Sequence, residues 1–329
     1  MNILGIDIGF GDTKVILSNE NGNLLKKFKF SSTIGITKSN EHIRDPKIYT
    51  YKGNSYYVGA DSLALPSECL IDIIEYKNLE YYAPLLLAHA IKLCEIVPDV
   101  IVTGLSKAQI LNSGYFKDAL TEFEVNDKRL TFKNVFVIPQ GAGSKLCIDK
   151  YGCDFPNPQT EFTGKSSYIG VDIGFNTLDM FRVIDGKTSA SVFEGIEHEG
   201  IMKIASKVSK LIKEKHNREI NLHEAKEILN SNTYKLRSQL FNYTDEILEI
   251  KKEYIKELLE LVETKYGNIL DKCDYIFLSG GGSSFFTSCE YMGNKILVPK
   301  SNYEYYNSIG QAMFGQELIK KNKIVVDND

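Results

Sequence analysis

The stretch Gly5-Ile6-Asp7-Ile8-Gly9-Phe10 returns as Gly170-Val171-Asp172-Ile173-Gly174-Phe175, identical at five of six positions after an offset of 172 − 7 = 165 residues. In each copy a short apolar run (Met1 to Ile8; Tyr168 to Ile173) meets an aspartate and a glycine. A second β-type run follows, Thr13 to Leu17 in one copy and Leu178 to Ile184 in the other. This pattern predicts a strand, a tight turn and a returning strand, twice. Gly9, Gly11 and Gly174 let the turn backbone bend and bring its N–H groups close to an anion such as phosphate. An aspartate at the strand end suits hydrated Mg²⁺, which prefers oxygen ligands and keeps several waters. A single D-x-G is ordinary hairpin chemistry. Its recurrence at half-chain spacing points instead to two related halves gripping one nucleotide.

The 329 residues exceed one typical domain and suggest two, each able to bury a core. Hydrophobic content of 43% and charge of 25% are those of an ordinary globular protein. A net charge of −4 gives no support for a nucleic-acid-binding surface. No apolar run approaches a membrane span, and Met1-Asn2-Ile3-Leu4 enters the first strand with no basic leader, so the expected location is cytoplasmic. The six cysteines form no C-x-x-C, and the histidines His42, His89, His198, His216 and His223 join no metal-ligand spacing, so neither a zinc site nor a disulfide framework is expected.

Leu24 to Phe30 reads as a third strand, and residues 31 to 47 as a polar loop. Lys47 to Tyr51 and Ser55 to Val58 make a hairpin. Helices are expected from Tyr82 to Ile96 and from Gly104 to about Leu120, separated by a strand, Val100 to Thr103. Strands Thr121 to Val125 and Leu130 to Ile138 lead into Pro139-Gln140-Gly141-Ala142-Gly143 and a short helix, Ser144 to Ile148. Residues 150 to 166, rich in Pro, Gly and Asn, read as the linker. Beyond the second copy of the motif come helices near 201–212, after Asn221 and over Ile247 to Val262, forming a mostly α subdomain. Tyr275 to Leu278 is a buried strand opening into Ser279-Gly280-Gly281-Gly282-Ser283-Ser284. A strand at Ile296 to Val298, a helix from Ile309 to Lys321 and a frayed tail, Lys323 to Asp329, close the chain.

These pieces, in this order, resemble the actin, sugar kinase and heat-shock chaperone ATPase superfamily, and within it the actin-like proteins of plasmids and archaea of the ParM type. The first phosphate loop matches Asp7 to Lys14, connect 1 Ile138 to Gly143, and the second phosphate loop Asp172 to Asp179. The adenosine motif matches Leu278 to Ser284 and connect 2 Tyr306 to Gly315. The resemblance implies an α/β fold, a duplicated ribonuclease-H-like architecture with two domains facing across a nucleotide cleft. Domain I would span 1–150, with a small subdomain at about 31–80 and the C-terminal helix 309–323 packed back on it. Domain II would span 151–308, with a helical subdomain at about 205–270.

It further implies Mg²⁺ held through water by Asp7 and Asp172, and ATP bound by Gly9, Phe10, Gly11, Asp12, Thr13 and Lys14 and by Gly174, Phe175, Asn176 and Thr177. Lys14 would neutralise phosphate charge. Gln140 falls where the family places the residue that orients the attacking water, although ParM-like relatives often carry glutamate there. A neutral amide aligns water but does not readily take its proton. Asp179 matches an acidic residue of the water network near the γ-phosphate, with a plain strand aspartate as the alternative. Gly280, Gly281, Gly282 and Ser283 would lie against the adenosine, and Glu199, Gly200 and Lys203 where ribose and purine contacts begin a helix. The implied activity is ATP hydrolysis coupled to self-assembly into filaments that segregate plasmid DNA through a DNA-bound adaptor of ParR type, with no direct nucleic-acid or membrane contact. The alternative is a non-polymerising ATPase or a metabolite kinase of the same superfamily.

Overall fold

The computed structural model describes residues 1–38, 45, 47–71, 73–159, 166–286, 289–291 and 293–324. Strands β1 (Asn2–Ile8), β2 (Asp12–Asn19) and β3 (Leu24–Ser31) form the expected antiparallel meander. Four short strands, β4 (Ile34–Thr37), β5 (Tyr49–Tyr51), β6 (Asn54–Val58) and β7 (Leu70–Ile71), make a separate sheet in the order β5-β6-β4-β7. Part of the segment expected to be loop is therefore strand β4. The rest of that expectation, at 39–44 and 46, lies outside the described residues, as do His42 and residues 325–329 of the expected tail.

Helix α1 (Tyr76–Cys94) begins well before Tyr82 and carries Pro84 inside it. A proline normally marks the first helical turn. Here the turns ahead of it are retained because Leu79 buries in the core of the first half. Strand β8 (Val100–Leu105) continues through Gly104-Leu105, and a 3₁₀ turn (Lys107–Asn112) precedes α2 (Ser113–Thr121), so the helix expected from Gly104 starts later. The hairpin β9 (Glu122–Val125) and β10 (Lys128–Thr131) is split from β11 (Val135–Pro139), where one strand was expected. Helix α3 (Ala142–Tyr151) follows.

The second half repeats the plan. Strands β12 (Tyr168–Ile173), β13 (Thr177–Val183) and β14 (Phe193–Glu197) form the second meander, succeeded by α4 (Ile201–His216) and α5 (Leu222–Ser231). The expected mostly α subdomain also contains a hairpin, β15 (Thr233–Leu236) and β16 (Gln239–Asn242), before α6 (Thr244–Leu270). Strands β17 (Tyr275–Ser279), β18 (Cys289–Tyr291) and β19 (Asn294–Leu297) and helix α7 (Tyr306–Lys320) complete the chain.

Sheet topology makes the duplication concrete. The first large sheet runs β11-β8-β1-β2-β3 and the second β14-β13-β12-β17-β19-β18. In each, the meander's first strand pairs parallel with a strand arriving from a helical crossover, β8 against β1 and β17 against β12. Each sheet buries its own core. A third cluster joins them, in which Ile16, Phe181 and Phe277 pack with Cys147, Ile148, Tyr306 and Ile309 of α3 and α7. A Cβ on Gly310 would sit 1.8 Å from the Gly143 carbonyl oxygen, so α7 and α3 cross at backbone contact.

Candidate functional site

The two motif aspartates end matching strands, and the register fixes what faces them. Asp7 pairs with Lys14 across β1–β2, and Asp172 pairs with Asp179 across β12–β13. The offset relating the halves also relates these partners, since 14 + 165 = 179. The duplicated corner thus carries a cation in one half and an anion in the other. One cavity of about 210 Å³ lies between the halves, lined by Asp7, Lys14 and Gln140 from the first and by Asp172, Thr177 and Asp179 from the second. Gly9 to Asp12, Gly174, Phe175, Gly280 and Gly281 also line it, together with Ile201 and Ser284.

In the first corner Lys14 Nζ donates to Asp7 Oδ2 at 3.1 Å, and Gln140 Nε2 donates to Asp7 Oδ1 at 2.9 Å. Burial alone would lower the Lys14 ammonium, but Asp7 and Asp12 outweigh it and hold it above its ordinary range. Lys14 is therefore a fixed cation facing the cavity. Gln140 is anchored twice, because its backbone N–H also donates to the Leu105 carbonyl at 2.7 Å.

In the second corner Asp172 Oδ2 accepts from Ser144 Oγ at 2.8 Å and from Asn307 Nδ2. Burial first, and the charge of Asp7 second, push its carboxyl up to about 7. Gly280, at φ +85°, comes so close to this carboxylate that a Cβ would lie 2.3 Å from Asp172 Oδ1. Asp179 is held by Ser106 Oγ at 2.8 Å, the Lys107 N–H at 3.1 Å and Thr177 Oγ1 at 3.0 Å, and burial pushes it up to about 6. Two of those donors belong to the first half, so Asp179 is a strut between the halves as well as a wall of the cavity.

The remaining expected residues lie at varying distances from this centre. Thr13 is fully buried with its hydroxyl on Ser32, and the Asn176 amide donates to the Ile74 carbonyl of the first half. Gly282 and Ser283 are buried beyond the two glycines that line the cavity. Gly200 caps α4, while Lys203 pairs with Glu199 and with Glu257 of α6, both at 2.8 Å, so neither charged side chain lines the cavity.

Other lining residues carried no expectation. Lys226 and Asn230 reach the cavity from α5, and Lys29, Tyr303 and Glu304 from the first meander and the turn before α7. Lys226 Nζ meets Asp12 Oδ2 at 2.6 Å, bridging the halves, and with Lys14 it overcomes burial to keep Asp12 below the usual carboxylate range. The expected connect 2 segment contains Asn307, to which no role was attached.

A divalent cation fits this site in one way. Among the described residues no three His, Cys, Asp or Glu side chains cluster as metal ligands. Two facing carboxylates beside a phosphate-sized space suit Mg²⁺, which is held by one or two carboxylates, waters and substrate phosphates rather than by a protein cage. Among the described residues, too, no helix is long and apolar enough to cross a membrane.

Comparison with known proteins agrees with this geometry. The family model for the N-terminal domain of actin-like proteins matches residues 5–143, and that for the C-terminal part of archaeal MreB-like actin homologues matches residues 170–289. No curated protein matches the chain. A non-polymerisable quadruple mutant of pCBH ParM superposes with a TM-score of 0.75 at 19% identity, covering 96% of this chain and 99% of that one. The archaeal actin homologue Ta0583 in complex with ADP gives 0.71 at 16% identity, covering 96% and 100%. A 15-stranded ParM filament from Clostridium botulinum gives 0.72 at 18%, covering 96% and 99%. Two duplicated α/β halves closing on a shared cleft are the actin fold. The chain belongs to the actin-like proteins, with ParM proteins and archaeal actin homologues as its structural neighbours.

Proposed function

We propose that this protein binds Mg-ATP between its halves, hydrolyses it to ADP and phosphate, and assembles with copies of itself into filaments in the cytoplasm. The observation that carries this reading is the Lys14–Asp7–Gln140 network facing Asp172 across the cavity. Lys14 would lie against the phosphates, and the amides of the Gly9–Asp12 and Gly174–Thr177 turns would bind their oxygens. Mg²⁺, held through water by Asp7 and Asp172, would supply neutralisation of the charge that grows on the β- and γ-phosphates. Gln140 gives its amide NH₂ to Asp7, which leaves its carbonyl oxygen to accept from a water and set that water in line with the γ-phosphorus. The water oxygen then bonds to phosphorus as the bond to ADP breaks, and the water's proton passes to an oxygen of the departing phosphate. Nucleotide entry would part Lys226 from Asp12, converting occupancy into a change in the relation of the halves.

Filament formation is supported by the fold's likeness to ParM, of which one neighbour was solved as a filament. Plasmid segregation through a ParR-type adaptor extends the same reading, and the net charge of −4 favours an indirect hold on DNA. Sedimentation and electron microscopy of the full chain with Mg-ATP, Mg-ADP and no nucleotide test it. Filaments that depend on Mg-ATP support the proposal. Turnover without polymer would favour the non-polymerising ATPase, and turnover only with an added metabolite would favour the kinase.

A further inference from the structure

We propose that Asn307 is a positioning residue, tying the turn that carries Gln140 to Asp172 so that the water-placing and cation-holding groups keep one spacing. The inference rests on the reading of the cleft as a hydrolytic site. Asn307 sits in the first turn of α7, is 4% exposed and lines the cavity. Its Oδ1 accepts from the backbone N–H groups of Gly141, the residue after Gln140, at 3.1 Å and of Ser144, in the first turn of α3, at 3.2 Å, while its Nδ2 donates to Asp172 Oδ2.

This pattern fixes the amide's orientation, because reversing it would set the NH₂ against two N–H donors and the oxygen against a carboxylate. Three of its four hydrogen-bonding positions are used, all on groups that belong to the site. Ser144 closes the circuit, giving its N–H to Asn307 and its hydroxyl to the same Asp172 oxygen. The helix that bears Asn307 is itself fixed at this point. A Cβ on Gly143 would lie 2.5 Å from the Asn307 carbonyl oxygen, and one on Gly310 would lie 1.8 Å from that of Gly143. The reach of the amide is therefore set by a backbone-to-backbone helix crossing rather than by a flexible stem. Asp172, on the second sheet, takes its position from α3 and α7, and α3 leads directly out of the strand that delivers Gln140.

The test uses the full chain as wild type, Asn307→Ala, Asn307→Asp, Asp172→Asn and the exchange Asp172→Asn/Asn307→Asp, at pH 8. In Mg-ATP hydrolysis, Asn307→Ala is expected to lower kcat by about tenfold or more with KM within about threefold of wild type, as misplacement of bound groups does. In thermal melting, Asn307→Asp sets two carboxylates together and lowers Tm. The exchange lets a carboxylate at 307 accept from Gly141, Ser144 and the new amide at 172, so it should melt above Asn307→Asp by more than Asp172→Asn melts above wild type. An unchanged kcat in Asn307→Ala beside an active wild type overturns the proposal, as does an exchange whose gain in Tm over Asn307→Asp is no larger than that of Asp172→Asn over wild type. Should Asn307→Ala fail to fold, the exchange still decides. An inactive wild type would refute the hydrolytic reading and with it the catalytic purpose of the tie, while melting of the exchange would separately show whether the tie exists.

Discussion

Replacing Asp172 by asparagine should make the nucleotide-free protein more stable at pH 8 while disabling its cation site. Burial, and then the charge of Asp7, push the Asp172 carboxyl from the usual 3.8 up to about 7, a gap of 7 − 3.8 = 3.2. At about 1.4 kcal/mol per pH unit the gap is worth about 4 kcal/mol. A carboxyl with a raised folded-state pKa holds its proton more tightly when folded. Its contribution to stability is complete below about pH 4 and is lost as the pH climbs through about 7. The substituted amide has nothing to ionise, and its oxygen can still accept from Ser144 and Asn307. Urea denaturation of both proteins from pH 4 to pH 8, without nucleotide or metal, reads the effect as a difference. The variant's advantage should grow by about 4 kcal/mol across that range and level off above pH 7. Asp179, pushed up to about 6, gives both proteins a slope of the same sign, so the difference between them is carried mainly by Asp172. A difference that stays constant with pH, or a wild type that gains on the variant as the pH rises, would refute the reasoning.

Lys14→Met should cost about 3 kcal/mol of stability by leaving the buried Asp7 carboxylate unpaired, measured by urea denaturation, and should abolish nucleotide binding. Gln140→Ala should slow hydrolysis by about a hundredfold while ATP affinity stays largely intact, and loss of binding instead would show that its role lies elsewhere. Gly310→Ala forces a methyl group against the Gly143 carbonyl and should cost about 3 kcal/mol in the same denaturation assay.

What the sequence discloses follows from where each interaction is encoded. The twin aspartates, the glycine turns and Lys14 sit within one hairpin each, so their chemistry is local and repeats visibly. Lys226 and Asn307 reach partners 214 and 135 residues away, Asp12 and Asp172, and no short motif announces such contacts. Strand β4 hides in a polar stretch because only Ile34 and Gly35 of its four residues are buried. The β15–β16 hairpin hides between strongly amphipathic helices, with Leu240 of β16 65% exposed. Pro84 shifts the expected start of α1 toward itself, since the packing of Leu79 that carries the helix upstream is a tertiary effect.

The proposed function stands on closure of the two acidic corners around one magnesium nucleotide. Isothermal titration of the full chain with ATP, once in Mg²⁺ and once in EDTA, tests it most directly. One site per chain is expected, tighter with Mg²⁺, with loss of that preference in Asp7→Ala and Asp172→Asn. Absence of binding, or an affinity indifferent to Mg²⁺ and to both aspartates, would contradict it.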